Sequence, residues 1–420
     1  MVSAAAPYLI RQKQWEQAAA TLELAFNRDP SRANASAMRP LAQKIADNLD
    51  SAGLLLATVT EVTDPAAAEQ LFGDCLAAAV ACGDHRVAMI AAGRLAYRNL
   101  HSGRPAQALT FADQAVSHAE QAAMGPWTML GTEVQRLQML SEMQDAGSVA
   151  PEVQRLRGLM EAAKAGTGDD EAAHSWDVRE ALLNIDRRVK TALGEWDEAR
   201  AVNAEIVASM QARQAPTSQI AVARMNDYGP LLRRGEASKA RDILLGCRQV
   251  LLDANELGML GVITGGVADV EAGLGHFDNA IKLAWDALRY GYAAGDAGAI
   301  RDVYHNLGNY LVKHASQPAP ALACHLCAAL IKTLSGTGDI ESSLRAAAID
   351  LYVSGGTIEP PAGIADLSSK TGDIPGTDPA ALVTGLSPSP EAAEQVLTDL
   401  IARAQALAEA LSGDAAWVMP

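Results

Sequence analysis

Aromatic residues are scarce in this chain: 4% of 420 residues, with four Phe in all. Hydrophobic residues still make up 49%, so Ala and Leu supply the apolar content. Ala has the best helix propensity, and the low aromatic and β-branched content, with no long stretch alternating at period 2, excludes a sheet-based fold. Basic residues are outnumbered, and the net charge is −16 with a pI near 4.9. That disfavours nucleic acid, because phosphate binding is carried by clustered Lys and Arg, and it disfavours anionic membrane surfaces. No basic segment followed by an apolar core opens the chain, and no apolar run approaches the ~20 residues of a membrane span. The five Cys are an odd number without framework spacing, which points to reduced thiols in a cytoplasmic protein. No Gly-x-x-x-x-Gly-Lys-Ser/Thr phosphate loop and no Gly-x-Ser-x-Gly nucleophile elbow occur. The expectation is a protein without catalytic residues, cofactor or metal.

What the chain does contain is repetition. In residues 272–290, Gly275 ends one helical pattern and His276-Phe277-Asp278-Asn279 turns into the next. Ala280, Ala284 and Ala287 then fall at i, i+4 and i+7, a face of small residues that lets a neighbouring helix approach closely. The same phrase recurs at Leu193-Gly194-Glu195-Trp196-Asp197-Glu198-Ala199 and at Arg234-Gly235-Glu236-Ala237-Ser238-Lys239-Ala240. Taking the turn alanine as a register mark gives Ala18, Ala108, Ala199, Ala240, Ala280 and a copy near Ala321. The last four are spaced by 41, 40 and about 41 residues, and the earlier gaps of 90 and 91 each have room for two units. One gap holds a helix opening at Asp64-Pro65 and ended by Gly83; the other holds one opening at Ala150-Pro151, running to Lys164 and ended by Gly166. The first unit is read as a helix opening at Pro7, a turn at Gln14-Trp15-Glu16-Gln17-Ala18, and a second helix stopped by Asp29-Pro30.

These marks give an all-α solenoid of about eight helix pairs over residues 1–335, with residues 336–420 as a loop-rich acidic cap. Residues 331–420 contain 12 Asp/Glu and 4 Lys/Arg, so half of the net charge lies there. This reads as a solvated cap, or as a surface for a basic partner. Residues 166–175 form the best internal loop, with Asp169 or Asp170 capping the helix that follows. Proline and glycine crowd residues 354–390, leaving room for short helices at most. From Pro390 a last amphipathic helix presents Val396, Leu400, Ala404 and Leu407 on one face, fit to cover the open end of a solenoid.

The turn pattern, with Trp15, Ala18, Ala25 and Pro30 at matching places, resembles the tetratricopeptide repeat family across roughly residues 7–335. Further phrases are similar to a group of actinobacterial arrays, found alone or as the C-terminal sensor part of signal-transduction ATPases. They include Gly125-Pro126-Trp127-Thr128, Asn226-Asp227-Tyr228-Gly229-Pro230 and His305-Asn306-Leu307-Gly308-Asn309. The resemblance implies a right-handed superhelix whose concave groove, lined by the first helix of each pair, takes a protein or peptide. With no phosphate loop here, any effector or ATPase domain is expected to lie on another chain or to have been cut away.

Polar residues on the expected first helices are the groove candidates: Asn184, Arg187 and Arg188; Asn226, Asp227 and Tyr228; Asn306, Asn309, Tyr310 and Lys313. Asn offers donor and acceptor to a peptide backbone, and Arg or Lys pairs a carboxylate. Asn226 and Asn306 read equally as partners for backbone groups between helices. Cys324-His325-Leu326-Cys327 has thiols at i, i+3, but lies within an apolar helix and has no second pair, so packing outweighs zinc. Trp15, Trp196, Trp285 and Phe277 are expected to pack between helices. Gly258, Gly261, Gly265 and Gly266 are taken as close-packing positions in a first helix, since no strand precedes them. Trp417 stands in an apolar tail suited to folding back on the cap or anchoring a partner. The function expected is an interaction or sensor module binding a protein or peptide; the alternative is a regulator that answers to a small molecule or signalling peptide.

Overall fold

A computed structural model describes residues 2–29, 31–101, 104–163, 171–313, 317–335 and 340–413. Among them there is no β-strand. The chain divides into two compact units, residues 1–189 and 190–420. The first carries α1 (Val2–Arg11), α2 (Trp15–Arg28), α3 (Arg32–Ala46), α4 (Gly53–Thr63), α5 (Pro65–Cys82), α6 (His85–His101), α7 (Pro105–Gln121), α8 (Pro126–Ser141), α9 (Ala146–Ala162) and most of α10 (Ser175–Ala192). The second holds α11 (Trp196–Ala212), α12 (Thr217–Met225), α13 (Tyr228–Arg233), α14 (Ala237–Asp253), α15 (Leu257–Gly273), α16 (Phe277–Ala294), α17 (Ala297–Lys313) and α18 (Pro318–Ser335). It ends with α19 (Glu341–Val353), the short α20 (Ile364–Lys370) and α21 (Pro379–Leu386), and α22 (Pro390–Gly413). Within each unit most helices pack on their sequence neighbours, the pattern of a helical repeat.

The register alanines explain that packing. Ala18, Ala108, Ala199, Ala240, Ala280 and Ala321 are each the fourth residue of their helix, and each is fully buried. In the two long gaps the same position is taken by Ala68 of α5 and Val149 of α9, both buried. A methyl group at the seam sets the close approach of two helices; the preceding turn reaches it through a left-handed glycine such as Gly275, with φ of 82°. Substituting Ala280 by tryptophan is therefore expected to wedge α16 from its neighbours and destabilise by ~1–3 kcal/mol, at the upper end for over-packing. Thermal unfolding measures this, and an unchanged midpoint would contradict the seam.

Several boundaries differ from the sequence reading. α1 opens at Val2 and α9 at Ala146, so Pro7 and Pro151 are each the sixth helical residue rather than the start. For α9 the reason is Asp145, whose carboxylate accepts from Ser148 N at 3.0 Å and Ser148 Oγ at 2.7 Å and so caps the helix ahead of the proline. Each proline costs one backbone bond near the helix start, which the remaining turns tolerate. α3 and α4 fill the first gap, where no turn motif was legible. The proposed caps Asp169 and Asp170, the stop at Gly166 and Trp417 lie outside the described residues. α22 buries Ala393, Leu397, Leu400 and Ala404, while Leu407 is exposed, so its inner stripe is rotated from the one expected. Trp285 is 42% exposed and belongs to the outer face rather than to a helix seam.

α18 is long and apolar enough to cross a membrane by length and composition, at 18 residues. Its residues 321–332 are all buried in the core of the second unit, against α17, α19 and the last three helices. It is a central packing helix, and Cys324 and Cys327 pack inside it. Burial pushes the Cys327 thiol up to about 12 and Cys324 well above its usual range, the opposite of what ligation or nucleophilic chemistry requires.

Candidate functional site

The candidate residues of α10 are largely engaged locally. Asn184 Nδ2 donates to Glu180 O of its own helix at 3.0 Å, and Arg188 Nη2 pairs with Glu142 Oε1 at 2.7 Å on the surface of the first unit. Arg187 is half-buried.

In the second unit, Asn226 and Asp227 form the break between α12 and α13. Asp227 Oδ1 accepts from Asn203 Nδ2 at 3.0 Å, and the same amide reaches Ala223 O at 3.0 Å. Asn203, buried on α11, thus holds the kink, a role the sequence reading missed. The kink sets Tyr228 at the first position of α13, its ring against Gly266, where an added Cβ would lie 3.7 Å from the ring carbon Cζ.

Tyr228, Asn306 and Tyr310 gather around a residue that the sequence reading passed over, Asp269 of α15. Asn306 Nδ2 donates to Asp269 Oδ1 at 2.9 Å, and the Tyr310 hydroxyl donates to the same oxygen. Burial, with the charge of Asp302 adding to it, pushes the Asp269 carboxyl up to about 6 against the opposing effect of the Tyr310 bond. Burial and the nearby Asp269 and Asp302 also raise Tyr228, which remains a neutral hydrogen-bonding phenol. The cluster joins the first helices of three successive pairs, α13, α15 and α17. Asn309 and Lys313 lie farther along α17, half-buried and exposed. A signal for Asp269 did exist: it is one of two carboxylates, with Glu271, in an otherwise apolar helix.

A second polar cluster lies between α17, α18 and α19. His325 Nδ1 is 2.6 Å from Asp350 Oδ2, and both side chains are buried. Burial raises the Asp350 carboxyl against the opposing bond from His325. His305 stacks at a tilt beside His325, with ring centroids 5.4 Å apart, and its Nδ1 lies 3.1 Å from Ser343 Oγ. Lys332 Nζ donates to Ser342 and Ser343 Oγ at 3.1 and 3.2 Å. Burial, then the charges of His325 and Lys332, lower His305 to about 4. Ser, His and Asp are therefore neighbours here, yet Ser343, His325 and Asp350 are all closed to solvent, so no nucleophile faces a substrate. Among the described residues no three or more His, Cys, Asp or Glu form a group able to hold a metal ion.

No protein-family model matches the chain, and no curated protein matches it. Solved structures do show a likeness. One is a signal-transduction ATPase with numerous domains and a tetratricopeptide repeat sensor, from Pyrococcus horikoshii. It is 10% identical with a TM-score of 0.46, the match covering 89% of this chain and 54% of that one. This chain thus spans about half the length of that relative. Another is a Rap protein complexed with competence and sporulation factor, 10% identical with a TM-score of 0.46, covering 77% of this chain and 89% of that one. A third is BtubC from P. vanneervenii, 15% identical with a TM-score of 0.36, covering 67% and 96% respectively. These are distant similarities of helical-repeat fold.

Proposed function

We propose that the protein is a tetratricopeptide-type interaction module that binds a protein or peptide along the face shared by its first helices. Residues 336–420 serve as the cap of the array. The observation that carries the reading is Asp269. Its carboxylate is mostly buried, is held through one oxygen by Asn306 and Tyr310, and is charged at neutral pH at a cost. A cationic group from a partner, such as a Lys or Arg side chain, repays that cost by pairing with the charge in a site of reduced dielectric. Half-buried Tyr228 supplies a flat, rigid wall with a hydrogen-bonding hydroxyl, and the acidic chain as a whole favours approach of a basic partner.

The reading is tested by presenting immobilised peptides of graded basic content to the full chain. Basic peptides are expected to be retained, and Asn306→Ala and Tyr310→Phe to weaken retention. Equal retention of basic and acidic peptides, or no response to either substitution, would contradict it.

A further inference from the structure

The first unit contains a cavity of about 350 Å³ between α6, α8 and α10. Its floor exists because two helix positions lack side chains. Gln135 Nε2 donates to Gly93 O at 2.6 Å, and an added Cβ on Gly93 would lie 3.0 Å from Gln135 Oε1. An added Cβ on Gly131 would lie 3.2 Å from Val178 Cγ2. One wall is a short strap, Ala172 and Ala173, pinned beside α8. Glu171 accepts from Trp127 N at 3.0 Å and Thr128 N at 2.8 Å, and Ala172 N donates to Thr128 Oγ1 at 2.7 Å. The strap thus satisfies amides that the start of α8 leaves without helical partners.

The lining has two chemical parts. Met89, Ile90 and Val178 form an apolar patch. At the mouth, Arg94 shares the Glu61 carboxylate with Arg98, at 3.6 and 3.8 Å, whereas the Asp177 carboxylate and the Gln138 amide line the cavity with no protein partner. Asp177 is therefore the unpaired carboxylate of the lining, and it stands beside an amide that reads a peptide bond and a patch that fits one aliphatic side chain. We propose that this cavity binds the free amino-terminal residue of a peptide bearing an aliphatic side chain. The α-ammonium group pairs with Asp177, the first peptide bond meets Gln138, and the side chain packs on Met89, Ile90 and Val178. This site belongs to the first unit and the Asp269 cluster to the second, and its occupant is a peptide amino terminus rather than a basic side chain.

The test is calorimetric titration of the full chain with Leu-Ala-Ala-amide and with its N-acetylated form. The free peptide is expected to bind one site per chain, and acetylation or Asp177→Asn to weaken binding about 10- to 100-fold, the worth of one hydrogen bond to a charged group. Ala181→Phe fills the cavity from an exposed lining position and is expected to abolish binding while leaving thermal unfolding unchanged. Asp269→Asn is expected to bind the free peptide as the wild type does. Equal affinity for the acetylated peptide, no saturable binding by the wild type, undiminished binding by Ala181→Phe, or loss of binding in Asp269→Asn would each overturn the proposal.

Discussion

Replacing Gly308 by alanine is expected to destabilise the protein by about 3 kcal/mol, although alanine is the better helix former by roughly 1 kcal/mol. Gly308 is buried in α17 against His325. An added Cβ would lie 2.5 Å from His325 Nε2, 2.7 Å from Cδ2 and 2.8 Å from Cε1, closer than real Cβ atoms approach a neighbour. The ring has no room to yield, because Nδ1 is held 2.6 Å from Asp350 and His325 is closed in by the surrounding helices. Displacing it breaks the buried hydrogen bond to Asp350 and leaves a buried polar group without its partner, the kind of loss that costs about 1–3 kcal/mol on top of the steric clash. The sign decides the matter. Helix propensity alone predicts stabilisation, whereas the packing predicts a large fall in the denaturant midpoint. A gain, or no change, would show that His325 does not lie against Gly308.

The second large effect concerns Asp269→Asn. The carboxyl is raised to about 6 in the folded protein, against an unfolded value near 3.9. The folded state therefore binds more protons than the unfolded chain between those values, and stability falls as pH rises through that window. Above pH 6 the ionised, buried carboxylate costs at most about 3 kcal/mol, two units at 1.36 kcal/mol each. Asparagine keeps an acceptor oxygen for Asn306 and Tyr310 and cannot ionise. The variant is expected to match the wild type near pH 4 and to exceed it near pH 7.5 in urea unfolding. His305 acts in the opposite sense. Its value is lowered to about 4 from an ordinary 6.5, so the stability it contributes above pH 6.5 is lost as pH falls towards 4. The two slopes oppose one another in the wild type, and Asp269→Asn uncovers the rise of stability with pH that His305 produces. The same substitution is expected to lose affinity for basic peptides. A variant that gains stability at neutral pH and loses binding is the signature of a charge kept for a ligand. One that loses both would mark Asp269 as a structural group.

The substitutions at Gly308 and Asp269 probe two different clusters, and the two clusters were unequally legible. Asn306 and Tyr310 stood out as polar residues on an expected first helix, and the structure joins them to Tyr228. Asp269, the group they surround, takes its meaning from two side chains 37 and 41 residues away. His325 was visible between two cysteines, a local pattern that suggests metal. Its actual partner is Asp350, 25 residues on, and its neighbour is a glycine on the preceding helix.

The sequence by itself determined the helical class, the repeat and its register. These are written in short-range terms: alanines at helical spacing, glycine at the turns, and few residues suited to strands. Helix formation and turn chemistry act over a few residues, so a single chain displays them openly. Only the tertiary structure decided which polar groups meet, where a cavity opens beside Gly93 and Gly131, and which glycines are compulsory. Those outcomes depend on helices brought side by side at distances set by packing. Burial then decides whether a carboxylate such as Asp269 is an ordinary surface charge or one held at a cost.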